Sequence, residues 1–334
     1  MATRRRRLGW GVIGCGWVAR DYVLPAVVAS GNGRLVVACD RDPRALAALP
    51  AGTPATADLD AALAAPGLDA VYVATPNDAH RPIVEAAAAA GKHVLCEKPM
   101  AACAADARAM VDACRAAGVC YATAFDQRFH AAHEALAGLV REGALGVVAQ
   151  ARLHYACWLP ADWAEDNWRV DPARAGGGAL VDLAPHGVDL LEAILSDQWA
   201  ALAALVQRRV HRYAVEDGAV LMGRFAGGAL ATMNVAYNCP ERYPRRVLEL
   251  IGTEARALAL DTMGQTPGGT LRLTDAASGR ERAVELADDR SPFVRQLEAF
   301  AAALLADRPY PFEPEADLRR FELLQTAFSE ASCR

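Results

Sequence analysis

The sequence contains no Cys-x-x-Cys pair and no cluster of His and Cys at zinc-ligand spacing. That argues against a structural metal and against chemistry at a metal-bound water. Its nine cysteines are odd in number and scattered, at 15, 39, 96, 103, 114, 120, 157, 239 and 333. Such scatter is the pattern of reduced, mostly buried thiols in a cytoplasmic protein, not of a disulfide framework. An excess of positive charge is also missing: 35 Lys and Arg against 40 Asp and Glu leave a formal net charge of -5, which speaks against a nucleic-acid partner. The one basic run, Arg4 to Arg7, reads as a solvated tail. It imitates the start of a signal peptide, but the apolar stretch behind it is itself a strand and a glycine turn that cleavage would destroy. No apolar run reaches membrane-spanning length, and no internal repeat or low-complexity linker is visible. What is present is 334 residues, 53% of them hydrophobic, enough for two cores and so for two domains.

The strand candidate Leu8 to Ile13 runs straight into Gly14-Cys15-Gly16-Trp17-Val18-Ala19, a GxGxxA that opens an Ala-rich helical stretch. This is the dinucleotide-binding fingerprint in its expected setting: Gly14 for the tight turn, Gly16 for close approach of a pyrophosphate, Ala19 for helix packing. Cys15 sits inside the loop and Cys96 beside Glu97, neither with an evident base partner, so both read as packing residues. A second apolar run, Leu35 to Cys39, ends at Asp40, placed to accept hydrogen bonds from ribose hydroxyls and to repel a 2′-phosphate. NAD is therefore favoured over NADP, although Arg41 beside it is able to accommodate that phosphate. A third run, Ala70 to Ala74, ends in Thr75-Pro76-Asn77 with His80 one helical turn on. A fourth, His93 to Cys96, ends in Glu97-Lys98-Pro99, where the proline keeps Lys98 out of the helical region at the strand end. Polar residues at carboxyl ends of parallel strands face the ligand crevice. A solvated surface lysine is the competing reading.

Near the middle of the chain, Gly176-Gly177-Gly178 leads into Ala179-Leu180-Val181-Asp182-Leu183-Ala184-Pro185-His186. If the segment is helical, Asp182 and His186 share one face and make an acid/base pair. A helix cap plus a structural histidine would explain the same residues.

Taken together, GVIGCGWVA (11–19), ATPNDAH (74–80), AGKHVLCEKPMA (90–101) and WRVDPARAGGGALVDLAPHGVDLL (168–191) resemble the Gfo/Idh/MocA oxidoreductases, over nearly the whole length. The resemblance implies that Lys98 lies beside nicotinamide and substrate, and that Asp182 and His186 complete the catalytic set. One departure is Ala184-Pro185, where the family commonly has Gly two residues after the Asp. It also implies a homodimer or homotetramer, and reversible hydride transfer between nicotinamide C4 and a secondary alcohol or ketone on a sugar, aminosugar or cyclitol ring. Alternatives within that resemblance are a ketosugar reductase of a deoxysugar or antibiotic pathway, an NAD-dependent glycosidase, and a non-catalytic regulator. The last has no need of all three residues. The cofactor-binding set is then Gly14, Gly16, Trp17, Val18, Asp40, Arg41, Ala74, Thr75, Asn77, His80, Glu97 and Lys98.

The organisation changes near residue 124. Before it, strands alternate with Ala-rich helices, the pattern of an α/β Rossmann domain over 1–124. After it come longer alternating strands (147–155, 201–211, 219–225, 229–236, 246–252 and 271–274) with Gly turns such as Gly227-Gly228. Residues 125–334 are expected to form an α+β substrate-binding domain with an open, mostly antiparallel sheet. Helices at 132–141, 188–195 and 294–305 should cover one face, leaving the other for a second subunit. The acids of Glu313-Pro314-Glu315 read as a helix start.

Three of six tryptophans, Trp158, Trp163 and Trp168, fall within eleven residues, beside Asp162, Glu165, Asp166 and Arg169. Indole faces suit a sugar or cyclitol ring and the acids suit hydroxyls or an ammonium group, though a surface loop clamped by tryptophans has the same composition. Arg128 resembles a family arginine near the pocket, with a structural salt bridge as the competing reading. Tyr237 ends a strand and either faces substrate or closes a turn. Lys98, Arg128, Trp158, Trp163, Arg169, Asp182, His186 and Tyr237 are the substrate-binding candidates, and no metal is expected.

Overall fold

The computed structural model describes residues 6–160 and 167–332. The chain divides into two compact units, one ending at Ala124 and joined by Phe293–Leu318, the other made of Phe125–Pro292 and the residues from Arg319 onward.

The first unit is built on six parallel strands: β1 (Leu8–Ile13), β2 (Gly33–Cys39), β3 (Ala55–Thr56), β4 (Ala70–Val73), β5 (His93–Cys96) and β6 (Tyr121–Thr123). Their spatial order, 3-2-1-4-5-6, is that of the doubly wound dinucleotide fold, whose ligand crevice lies at the carboxyl ends of the strands where the order reverses, between β1 and β4. Both of these strands are buried along their whole length, as strands covered on two faces must be. The helix over Pro292–Leu305, expected above the second sheet, belongs instead to this unit. Its Phe300 packs on Trp10 of β1 with ring centroids 5.6 Å apart, Phe293 stacks on Tyr22, and Glu298 accepts a hydrogen bond from Gly31 N at 2.9 Å. Helical periodicity announces an apolar face, but not which surface will cover it.

The second unit carries eight strands: β7 (Val148–Ala156), β8 (Trp199–Gln207), β9 (Gly218–Phe225), β10 (Leu230–Ala236), β11 (Arg246–Gly252), β12 (Ala255–Leu260), β13 (Thr270–Asp275) and β14 (Glu281–Ala283). Their order is 14-13-12-11-7-10-9-8. Every neighbouring pair is antiparallel except β7 with β10. Alternation decides the two faces. Leu153 and Tyr155 of β7 and Met233 and Val235 of β10 are buried on one, with the helices Ala131–Arg141 and Ala179–Leu195, while Leu205, Val220, Met222 and Leu230 stand exposed on the other. Among the described residues no helix is long and apolar enough to cross a membrane.

Candidate active site

In the first unit the glycine loop follows β1 directly. Gly14 has φ of +89°, and a Cβ there would stand 2.7 Å from the carbonyl carbon of Ala74, so only glycine fits between β1 and the end of β4. Gly16 differs: a Cβ there would meet nothing within 4 Å. The backbone is thus bared to open space where the following helix begins, the cradle a pyrophosphate needs. Trp17 is exposed and sits edge-on to Tyr22, Val18 is half-buried, and Ala19 is fully buried where a π-helical turn, Ala19–Val23, starts.

Asp40 closes the other side of the loop. Its Oδ2 accepts from Cys15 N at 2.7 Å and its Oδ1 from Asp42 N at 2.8 Å, which fixes a negative charge at the end of β2, next to the exposed Arg41. Burial, and then the Asp40 charge, push the Cys15 thiol up to about 12, so it remains a protonated packing group.

At the end of β4, Ala74 and Thr75 are half-buried and Asn77 is buried. Thr75 Oγ1 is buried with no hydrogen-bond partner among the described residues. His80 is fully buried, with Nδ1 3.0 Å from the Met100 carbonyl and Nε2 3.0 Å from that of Thr75, and burial lowers its pKa. It ties the segments after β4 and β5 together, so what it contributes to the crevice passes through Thr75. Glu97 accepts from Tyr72 Oη at 2.6 Å and from Lys98 N at 3.2 Å, leaving the half-buried Lys98 at the strand end. Lys98 and Lys92 are the only lysines in the chain, and Lys92 Nζ donates to the Leu68 carbonyl at 3.1 Å. Bared glycine backbone, an ionisable strand-end carboxylate and an orphaned buried hydroxyl together fit a nicotinamide dinucleotide.

In the second unit the segment carrying Asp182 and His186 is indeed helical, Ala179–Leu195, nine residues longer at its start than expected and with Pro185 inside it. Its N-terminus is set by Glu216, whose Oε1 accepts from Gly178 N at 2.7 Å and Leu180 N at 3.0 Å. A Cβ on Gly178 would lie 2.1 Å from the Glu216 carbonyl oxygen, which is why glycine precedes the helix. Asp182 Oδ2 accepts from Tyr237 Oη at 2.8 Å. Tyr237 is only 1% exposed, and burial, with the Asp182 charge, pushes its pKa well above 10. It stays a neutral donor. His186 is buried, with Tyr155 edge-on to its ring at 5.5 Å and Asp126 Oδ1 3.8 Å from its Nδ1.

For Arg128 the structural salt bridge is what is found. Its side chain is 3% exposed, Nε donates to Asp189 Oδ2 at 2.8 Å, and Nη2 donates to the other oxygen. The pair ties the turn that carries Arg128 to the helix that carries Asp189. Trp158 is 39% exposed and packs edge-on to His211, which stacks on Tyr213. Arg169 lies over the Trp168 ring at 4.5 Å, and its charge opposes, without overcoming, the rise that burial and Asp182 cause in the Tyr237 pKa. Trp163, Asp162, Glu165 and Asp166 lie outside the described residues. Among those described, no group of three His, Cys, Asp or Glu is placed to hold a metal ion.

Residues 8–125 match the oxidoreductase family with an NAD-binding Rossmann fold, and residues 133–258 match the GFO/IDH/MocA C-terminal domain. The chain belongs to the GFO/IDH/MocA oxidoreductase family. Among curated GFO/IDH/MocA-like relatives it is 33% identical over 299 residues to 1,5-anhydro-D-fructose reductase of Ensifer adhaerens, covering 88% of this chain and 87% of that one. It is 34% identical over 297 residues to D-xylose 1-dehydrogenase (NADP(+)) 2 of Haloferax volcanii, covering 88% of each. The crystal structure of aldose-aldose oxidoreductase from Caulobacter crescentus with glycerol superposes with a TM-score of 0.87 at 27% identity over 98% of both chains. This GFO/IDH/MocA chain is therefore an oxidoreductase with an NAD-binding domain. Sequence reasoning named the Asp126–Phe129 segment only for Arg128, and passed over Tyr155 and His211. The inward alternation of β7 was a signal for Tyr155; nothing local marks the other two.

Proposed function

We propose that the enzyme moves a hydride between nicotinamide C4 and a ring carbon bearing a secondary alcohol or ketone, on a sugar or cyclitol. The observation that carries this is the helix Ala179–Leu195, whose N-terminus is fixed by Glu216, whose Asp182 is held by Tyr237, and whose His186 is buried against Tyr155. The nicotinamide supplies hydride chemistry and the chain supplies position and electrostatics. In oxidation His186 takes the alcohol proton; in reduction it returns it. Lys98 donates to the same oxygen and stabilises its developing negative charge. Asp182 accepts from a neighbouring substrate hydroxyl, and Trp158 offers an exposed indole to the ring.

The fixed carboxylate of Asp40 favours NAD over NADP by charge repulsion with a 2′-phosphate. The likeness to the E. adhaerens reductase supports the reducing direction, and that to the H. volcanii dehydrogenase the oxidising one. A second copy of the chain is the proposed occupant of the outer sheet face, where Leu205 pairs with Val220 and Ala203 with Met222 in register. Mass in solution tests that. The eight described cysteines are all free thiols, which supports a reducing, cytoplasmic setting.

The test is reduced-nicotinamide absorbance with purified protein, NAD or NADP, and a panel of myo-inositol, D-xylose, D-glucose, an aminosugar and 1,5-anhydro-D-fructose in the matching direction. Lys98→Ala should lose on the order of 10²-fold or more in turnover while keeping its affinity for NAD in calorimetry. Turnover unchanged in that variant removes Lys98 from the chemistry.

A further inference from the structure

Asp126 is a buried carboxylate that the hydride-transfer scheme leaves unused. It stands in the turn Asp126–Phe129, with a side chain 6% exposed. Its two oxygens have different neighbours: Oδ2 accepts from Gln127 Nε2 at 2.8 Å, and Oδ1 lies 3.8 Å from His186 Nδ1. That separation is longer than a hydrogen bond, as catalytic pairs commonly are before substrate draws them together.

The turn is held in place on every side. Gln127 Nε2 also donates to the Gly264 carbonyl at 3.0 Å. The Gln127 carbonyl lies 2.8 Å from His133 Nδ1, whose Nε2 is 2.9 Å from Thr262 Oγ1. Burial lowers the His133 pKa to about 3, so that ring is a neutral strut. Arg128, the next residue but one after Asp126, is bound to Asp189, and Asp189 sits three residues beyond His186 on the same helix. The segment bearing Asp126 and the helix bearing His186 are thereby fastened together within one unit.

We propose that Asp126 is the positioning carboxylate of His186, orienting its ring and compensating its charge, while Asp182, held by Tyr237, is left to meet the substrate. This rests on His186 being the acid/base group. With Nδ1–H directed at Asp126 Oδ1, the lone pair of Nε2 is the site that takes the proton. In oxidation the alcohol O–H bond breaks and an Nε2–H bond forms, as the carbon gives up its hydride to the nicotinamide. Asp126 stays ionised throughout and gains and loses no proton. Among the described residues, Tyr155 stands against the His186 ring and Asp182 lies one turn earlier on the same helix. Tyr155 itself lies in the fields of Arg246, Asp126 and Asp182, and the Arg128–Asp189 pair lies one turn further along the helix.

The first two readouts of the test need no substrate. Nitrogen-15 imidazole spectra of the wild-type protein, with His186 assigned by His186→Gln, should show the Nδ1–H tautomer. Asp126→Asn, which keeps the shape, should shift the His186 titration to lower pH. On whichever panel compound is turned over, that variant should lose about 10²-fold in kcat with KM for NAD unchanged. The pH limb of kcat/KM should move in the same direction as the titration. An Nε2–H tautomer in the wild type overturns the proposal even if Asp126→Asn does not fold. An unmoved titration overturns it whatever happens to kcat, because a structural role alone would lower kcat and leave the titration in place. If His186→Gln itself retains turnover, the broader assignment of His186 has failed instead.

Discussion

Replacing Tyr237 with Phe removes one oxygen and one hydrogen bond from the second unit and little else. The ring is 1% exposed and sits at the end of β10, so Phe fills the same space. What is lost is the 2.8 Å bond from Oη to Asp182 Oδ2. A hydrogen bond to a charged group is worth about 1.5–3 kcal/mol. If about 2 kcal/mol of that holds Asp182 for the transition state, turnover should fall about 30-fold, at roughly 1.4 kcal/mol per decade. The assay is kcat and KM on the best panel compound, with thermal unfolding alongside. The fall should appear in kcat or in sugar KM and not in the KM for NAD. The pH dependence of stability gives an independent check. Tyr237 has its pKa raised in the folded protein, first by burial and then by Asp182, so its contribution is complete below the ordinary value of 10 and is lost as pH rises beyond it. Wild type should therefore lose stability more steeply than Tyr237→Phe above pH 10. A variant with wild-type kcat, and the same alkaline stability curve, would show that Tyr237 does nothing for Asp182.

Two further outcomes follow from the backbone. Gly16→Ala places its methyl in open space, so it should unfold at the wild-type temperature yet bind NAD more weakly in calorimetry. Gly14→Ala meets the Ala74 backbone at 2.7 Å with φ of +89°, so it should lower the melting temperature itself. Glu216 has its pKa raised, burial outweighing the backbone N–H donors it accepts from. Its contribution is thus present below the ordinary 4.5 and lost as pH rises through the folded value. Glu216→Gln, which keeps an acceptor at the helix start, should match or exceed wild-type stability at pH 7 in denaturant titrations, with the advantage vanishing in acid.

The parts of this protein that could be read from sequence are those whose cause is local. A strand running into GxGxxA leaves few conformations for Gly14, and a 3.6-residue period puts Asp182 and His186 on one face once Gly178 has opened the helix. Where cause is distant, the sequence was silent or misleading. Asp126 and His186 are 60 positions apart, and nothing near either one announces the other. Arg128 offered two readings that only the position of Asp189 could separate. The helix Pro292–Leu305 declared an apolar face without naming Trp10 as its cover. Strand β12, with three alanines in six residues, carries little intrinsic preference for a sheet and is held there by β11 and β13.

The scarcity of lysine has a practical consequence. Cationic surface here is almost wholly arginine, and of the two side-chain amines one is bound to a backbone carbonyl while the other stands at the end of β5. Reagents that couple proteins to beads, dyes or sensor surfaces through amines would meet few targets on this molecule, and one of them is Lys98. Immobilisation by that route would act on the lysine proposed to bind the reacting oxygen, whereas the exposed thiol of Cys103 offers an attachment point on the solvent side of a helix start.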